Sequence, residues 1–408
     1  MKKILALVLA ICMIFALAAC GSSAKPAEEP AAAPAEAPAE APAEEAPAEE
    51  PAAEEPAAEE PAAEASDMAV AMITDYGDIT DQSFNQTTYE ACKEYCEANG
   101  IAFSYFKPVS DSDEDRVSMI EKAIDEDYNV IVMPGYAFAP AIAATVGEYE
   151  DVTFIALDVS EFDLTSAGLE TIPANLYSAV YQEELCGYMA GYAAVKLGYT
   201  KLGFLGGMAV PAVVRYGYGF VQGADAAAAE IGADVTMNYA YGNQFYGDAD
   251  ITAAMDTWYA DGIEVVFACG GGIYSSAAEA AQKVNGKVIG VDVDQAGIID
   301  GTYGEGMTVT SAMKGLAATV KTMLSAVQDG TFEGSKVENL GIVSANPEEN
   351  YVQIPVASTQ FDDNFSVADY EALVAAMFAG DITVSNDIDA SAADMATTIS
   401  VNDLGNLK

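Results

Sequence analysis

At 408 residues the chain exceeds what one hydrophobic core accommodates, since cores stop growing near ~250 to 300 residues, and two lobes are the default expectation. It carries 64 acidic and 16 basic residues and no histidine. That balance excludes a nucleic-acid partner, which needs a basic face, and rules out a His-dependent triad or a His-ligated metal; neutral or cationic small ligands suit the field better than anionic ones.

Met1-Lys-Lys is basic, residues 4–16 are apolar, and Leu17-Ala-Ala-Cys20 ends the run, which is too short and wrongly flanked for a membrane span and reads as an export signal. Leu-Ala-Ala-Cys before Gly-Ser-Ser resembles a bacterial lipobox. That resemblance implies cleavage before Cys20, a lipid on its sulfur, and anchoring on the extracytoplasmic face of the cell membrane. The alternative is an ordinary secretory peptide cut near Ala19. Residues 21–66 hold thirteen Glu against one Lys, in Pro-Ala-Glu repeats. Proline interrupts any helix there and like charges extend the chain, so this stretch reads as a disordered tether with a reach on the order of 120 Å. Residues 67–408 keep 51 acidic and 13 basic residues.

From residue 68, apolar β-rich runs alternate with amphipathic stretches. Strands are expected over 68–75, 101–106, 129–134, 152–158, 201–206, 234–240, 263–269, 287–292 and 307–311. Helices are expected over 115–127, 137–146, 180–197, 216–231, 248–261 and 274–285. Such alternation predicts an α/β protein with parallel sheets built from βαβ units, and the near-continuous apolar strands indicate that both sheet faces are covered.

Beyond the first strand, Asp75, Asp81, Ser83, Phe84 and Asn85 fall where ligands collect in open sheets, at strand carboxyl ends and helix N-termini. Phe84, Thr88, Ala91, Cys92, Tyr95 and Cys96 mark one face of the following helix, with Asp81 or Ser83 as its cap. Phe84, in the first turn, belongs either to the cleft or to the core. Cys92 and Cys96 share a face, but no second pair stands at ligand spacing. With Cys186 and Cys269 they read as four small buried residues, and no metal or cofactor is expected.

A domain crossing is placed at 172–178, before a long helix over 177–197. The first lobe then takes 67–175 plus about 305–335, with the strand at 307–311 and the helix at 312–327 returning to the first sheet. The second lobe takes 176–304 plus about 336–408. A further helix is expected over 366–379. Lobes joined by several crossings can close on a ligand.

Several runs together resemble the basic membrane protein family, extracytoplasmic lipoproteins that serve as substrate-binding components of ABC transporters. They are Asp81-Gln-Ser-Phe-Asn-Gln86, Gln182-Glu-Glu-Leu-Cys-Gly-Tyr-Met-Ala-Gly191, Leu202-Gly-Phe-Leu-Gly-Gly207 with Pro211-Ala-Val-Val-Arg-Tyr and Gly219-Phe-Val-Gln-Gly-Ala224, then Val288-Ile-Gly-Val-Asp-Val-Asp-Gln295, Thr310-Ser-Ala-Met-Lys314 and Gly380-Asp-Ile-Thr-Val384. The resemblance spans about 68–384. It implies a two-lobed type I periplasmic-binding-protein fold, a non-enzymatic protein, a small neutral ligand such as a purine nucleoside held between the lobes, and an ABC permease as partner.

Carried over by residue, it implies that Phe84 stacks on one face of a base and that Phe245 or Tyr216 supplies the other. Asp158 and Asp292 would accept from ribose hydroxyls, Lys314 would donate to sugar or base and pair with a carboxylate when the site is empty, Asp75 would be a further acceptor, and Gly271 would let backbone approach the ligand. Each has a plainer reading: a strand-end Asp caps or turns, a lysine is solvated, an aromatic packs. The chain departs from the family pattern at Tyr216 for Phe, at Gly242-Asn-Gln-Phe with one residue more, and at Cys269-Gly-Gly-Gly-Ile-Tyr, all on the second-lobe wall. Two other functions stay open, a ligand-sensing lipoprotein and a surface glycoside or nucleoside hydrolase using paired carboxylates. For the latter, Asp292 and Asp294 point to opposite faces if the strand continues through them.

Overall fold

The computed structural model describes residues 67–75 and 77–408; the export signal, Cys20 and the tether lie outside the described residues. Strands β1 (Ala69–Ile73), β2 (Ala102–Phe106), β3 (Val130–Pro134), β4 (Thr153–Leu157) and β5 (Leu176–Tyr181) form one sheet. Strands β6 (Lys201–Gly206), β7 (Thr236–Tyr241), β8 (Val265–Cys269), β9 (Lys287–Asp292) and β10 (Thr308–Lys314) form a second. Strand β11 (Lys336–Leu340) then joins the first sheet, while β12 (Val352–Gln353) and β13 (Ser400–Asn406) join the second. The orders are β11-β5-β4-β3-β1-β2 and β12-β10-β9-β8-β6-β7-β13, and among these strands only β12 runs antiparallel to its neighbour.

Helices complete the βαβ units: α1 (Phe84–Asn99), α2 (Asp113–Asp125), α3 (Ala139–Thr145) and α4 (Glu161–Ser166) in the first half, then α5 (Glu183–Lys196), α6 (Pro211–Ile231), α7 (Ala249–Ala260), α8 (Tyr274–Val284) and α9 (Ala296–Tyr303). Helix α10 (Leu316–Gln328) packs on α1, and α11 (Val367–Ala379) follows β12. This is the expected α/β architecture of two parallel layers flanked by helices. Central strands β3 and β8 are buried at every residue, as two-sided cover demands.

The structure differs from the sequence-based expectation at three points. Residues 176–181 form a strand rather than the start of a long helix. The run Leu-Tyr-Ser-Ala-Val-Tyr has β-forming aromatic and branched residues, it pairs with both β4 and β11, and the crossing falls after it, at Gln182. Strand β10 stays in the second sheet, paired with β9, and all its residues but Met313 are buried there; α10 and β11 make the return to the first lobe. Strand β13, mostly exposed and without apolar alternation, was not foreseen, and it covers the edge of β7.

The chain therefore passes between lobes three times, and the passages are laced together. Gln182 N donates to Leu340 O at 2.9 Å, Gly315 N to Tyr351 O at 2.7 Å, and Tyr351 N to Gly341 O at 3.1 Å.

Candidate functional site

The first wall is the turn after β1. Asp81 caps α1: its carboxylate accepts from the N–H groups of Ser83 at 2.9 Å, Asn85 at 2.9 Å and Gln86 at 3.1 Å. This division of labour frees the Ser83 hydroxyl, which makes no cap bond and donates instead to Asp292 Oδ2 at 2.6 Å, across to the other lobe. Phe84 is half-buried on the cleft wall, with the cysteine face of α1 turned into the core. Asp75 accepts from Gly77 N at 2.6 Å. Asn85 is 4 % exposed; its Nδ2 donates to Asp81, and its Oδ1 is buried with no hydrogen-bond partner.

The second wall depends on how closely α5 and α6 approach. A Cβ on Gly187 would strike Tyr216 O, and one on Gly219 would strike Glu184 O, so these helices touch backbone to backbone. Glu183 in the first turn of α5 thereby meets Arg215 in α6, Nε donating to Oε2 at 2.7 Å, with Glu183 fully buried. Tyr216 is 2 % exposed, its ring edge-on to Phe267 and its hydroxyl donating to Asp292 Oδ1 at 3.1 Å. Phe245 is the half-buried aromatic of this wall. Gly271 has φ +52°, and a Cβ there would come 2.8 Å from Phe245 O, so the glycine is required by Phe245 itself.

Asp158 directly follows β4 and Asp292 ends β9, at the corresponding edges of the two lobes, and both adopt left-handed backbone, φ 61° and 65°. Such conformations are costly for non-glycine residues, least so for Asp and Asn, and cluster at ligand sites. Lys314, at the end of β10, lies between them: Nζ is 2.5 Å from Asp158 Oδ2, 3.4 Å from Glu183 Oε1 and 3.7 Å from Asp292 Oδ1. Burial pulls the lysine pKa down, but Asp158, Asp292 and Glu183 outweigh it and hold the ammonium charged, well above its ordinary value. Burial pushes Asp158 up to about 6 against the opposing charge of Lys314, and its Oδ1 is buried without a partner. The ammonium also stands 4.7 Å from the Phe84 ring centroid.

Behind Arg215 lies Glu184, pushed up to about 7 by burial, the Glu183 charge adding to it and Arg215 opposing. A carboxyl whose folded pKa exceeds its unfolded value of 4.5 binds protons preferentially in the folded state, so stability falls as pH rises from about 4.5 to about 7. Thermal denaturation should show a melting temperature several degrees higher at pH 5 than at pH 7.5. Glu184→Gln should flatten that slope; an unchanged slope would remove Glu184 as its source.

All eight predicted site residues line one cleft of about 730 Å³ between the lobes. Asp75, Phe84 and Asp158 come from the first; Tyr216, Phe245, Gly271, Asp292 and Lys314 come from the second. Arg215 and Glu183 were not singled out as site residues, although each stands inside a motif that was; Asn85 was placed in the ligand zone but given no role. Asp294 is exposed and caps α9 through Ala296 N, so it forms no carboxylate pair with Asp292 in the cleft. Cys92, Cys96, Cys186 and Cys269 are buried free thiols. Among the described residues no group of three or more His, Cys, Asp or Glu could hold a metal ion, and no helix is long and apolar enough to cross a membrane.

Residues 68–368 match the Bmp family model, described as ABC transporter substrate-binding protein PnrA-like. Among relatives, the ABC transporter nucleoside-binding protein BmpA of Lactococcus lactis is 27% identical over 291 residues, covering 67% of this chain and 78% of that protein. Basic membrane protein A1 of Borrelia garinii is 28% identical over 282 residues, covering 67% and 77%. Among solved structures, an ABC transporter solute-binding protein from Conexibacter woesei superposes with a TM-score of 0.62 at 21% identity, covering 78% of this chain and 99% of that one. A solute-binding protein from Aeropyrum pernix gives 0.61 at 18% identity, covering 80% and 90%.

Proposed function

This chain belongs to the Bmp family of PnrA-like ABC transporter substrate-binding proteins, and from that premise we propose that it captures a nucleoside between its lobes and delivers it to an ABC permease. The observation that carries the reading is the pairing of half-buried Phe84 and Phe245 on opposite walls with Asp158, Asp292 and Lys314 between them. Two aromatic faces suit a planar base. The unpartnered Asp158 Oδ1 suits a sugar hydroxyl, whose donation would satisfy a buried acceptor. Tyr216, whose hydroxyl is committed to Asp292, orients that carboxylate, which leaves Phe245 as the second stacking face. A relative named as nucleoside-binding supports the same ligand class. Export with a lipid on Cys20 completes the reading, placing the site outside the cytoplasm and close to the permease.

Thermal shift against a panel of nucleosides, free bases and sugars tests it. At 100 times Kd a ligand that binds only the folded state adds about 2.7 kcal/mol of stability, and a nucleoside should raise the melting temperature where its base and its sugar alone do not. No shift with any nucleoside at millimolar concentration would sink the ligand while leaving the family and fold intact.

A further inference from the structure

The family match ends at residue 368, yet the chain beyond it builds part of the cleft wall. After α11 the tail runs back over α6, where Tyr218, Gln222 and Asp225, spaced i, i+4 and i+7, present one helical face. Each of the three grips the tail. Tyr218 Oη donates to Ala390 O at 2.7 Å. Gln222 donates through Nε2 to Ser385 O at 2.9 Å and accepts from Ser385 N at 2.8 Å. Asp225 Oδ1 accepts from the N–H groups of Thr397, Thr398 and Ile399 at 2.9, 2.6 and 2.9 Å. Pairing of β13 with β7 fixes the end.

Between the anchors at Ser385 and Ala390 lies Asp387-Ile388-Asp389. Ile388 lines the cleft although it is 39% exposed, which places it at the rim, and both flanking aspartates are exposed. The first-lobe residue Asp163 lines the same cleft. We infer that residues 385–390 form a fixed strap that determines which ligands the cleft admits. Ile388 narrows the mouth and covers the uncharged outer end of the ligand, while Asp387 and Asp389 repel any ligand bearing an anionic extension. The strap thus selects an unphosphorylated nucleoside over its phosphate ester. A phosphate brings about −1.5 to −2 charges at pH 7, and the exposed carboxylates flanking Ile388, with Asp163 on the lining, oppose its approach to the mouth, Lys107 and Arg215 on the same lining being already paired with Asp78 and Glu183. This inference rests on the nucleoside reading for the identity of the ligand, but the strap itself is testable without one.

The test uses the full chain with Cys12→Ser, Cys20→Ser and Cys269→Ala, the last because Cys269 lines the cleft, and a reporter thiol, Ala212→Cys, on the cleft wall at the start of α6; the remaining native thiols, Cys92, Cys96 and Cys186, are buried away from that lining. Labelling by neutral N-ethylmaleimide should slow at least threefold with Ile388→Trp and quicken at least threefold with Ile388→Gly. Equal rates in both would overturn the strap as part of the mouth. With Asp387→Asn plus Asp389→Asn, a sulfonate-bearing thiol reagent should gain at least threefold relative to the neutral one, and an unchanged ratio would overturn the charge filter. In the chain without the reporter, adenosine should bind at least tenfold more tightly than adenosine 5′-monophosphate, and the double Asn variant should narrow that gap at least threefold. Equal affinities in the native chain would overturn the selection. Binding of no nucleoside in the thermal-shift panel, with the labelling results as expected, would overturn the nucleoside reading and leave the strap standing.

Discussion

Methionine in place of Lys314 should cost the fold about 3–5 kcal/mol at neutral pH, the scale for removing one partner from a buried ion network, and the loss should shrink as the pH falls. The lysine side chain is 3% exposed and serves three carboxylates at once. Arg215 pairs with Glu183 and acts on Asp158 only through space, so among the described residues Lys314 is the cation in ion-pair contact with Asp158 and Asp292. Without the ammonium, Asp158 loses the charge that opposes its burial and its pKa climbs beyond about 6. An acid whose folded pKa lies above its unfolded value of 3.8 makes the folded state bind more protons through that window. Stability therefore falls as pH rises across it, and lowering the pH returns part of what the variant lost. Denaturant unfolding at pH 5 and pH 7.5 measures this. An equal deficit at both would show that Lys314 is not what holds these carboxylates.

Phe84→Ala should weaken nucleoside binding by about 1–3 kcal/mol, the range for losing one base–aromatic stack, which is roughly 5- to 150-fold in Kd. The fold should survive, because Phe84 is half-buried and packs at the edge of the core rather than within it. Part of the loss runs through Lys314, whose ammonium lies 4.7 Å from the ring centroid and loses that face as a partner. Calorimetric titration with the nucleoside that gives the largest thermal shift is the measurement. Unchanged affinity would make Phe84 a packing residue.

The βαβ alternation was legible because buried strands and amphipathic helices carry different periods, and the strand ends at Asp158 and Asp292 followed from it. Four things were not. Leu176–Tyr181 reads as helix or strand from its pattern alone, and only its pairing between β4 and β11 decides. Which sheet receives β10 depends on neighbours more than a dozen residues away, and no local pattern records that. At the site, Ser83 was read as a possible cap; the structure gives capping to Asp81 and turns Ser83 toward Asp292, a partner 209 residues distant. Gly271 was read as room for a ligand; it lines the cleft, and it also makes room for the Phe245 carbonyl, which no local pattern announces. Spacing along the chain places residues at strand ends, but it cannot say which of two polar neighbours faces the cap and which faces across the cleft.

The threefold passage between lobes also bears on the order in which the molecule can form. Neither half is a contiguous piece of chain: the first sheet waits for β11, ending at Leu340, and the second for β13, ending at Asn406. Pairings at such separation form late and slowly. A ribosome must therefore release the chain through Leu340 before the first sheet is complete and almost the whole polypeptide before the second is, and until then the edges of β5 and β7 stay open. If the first twenty residues act as the export signal their sequence resembles, delay of this kind is useful, since a polypeptide that has not yet closed its sheets can still be threaded.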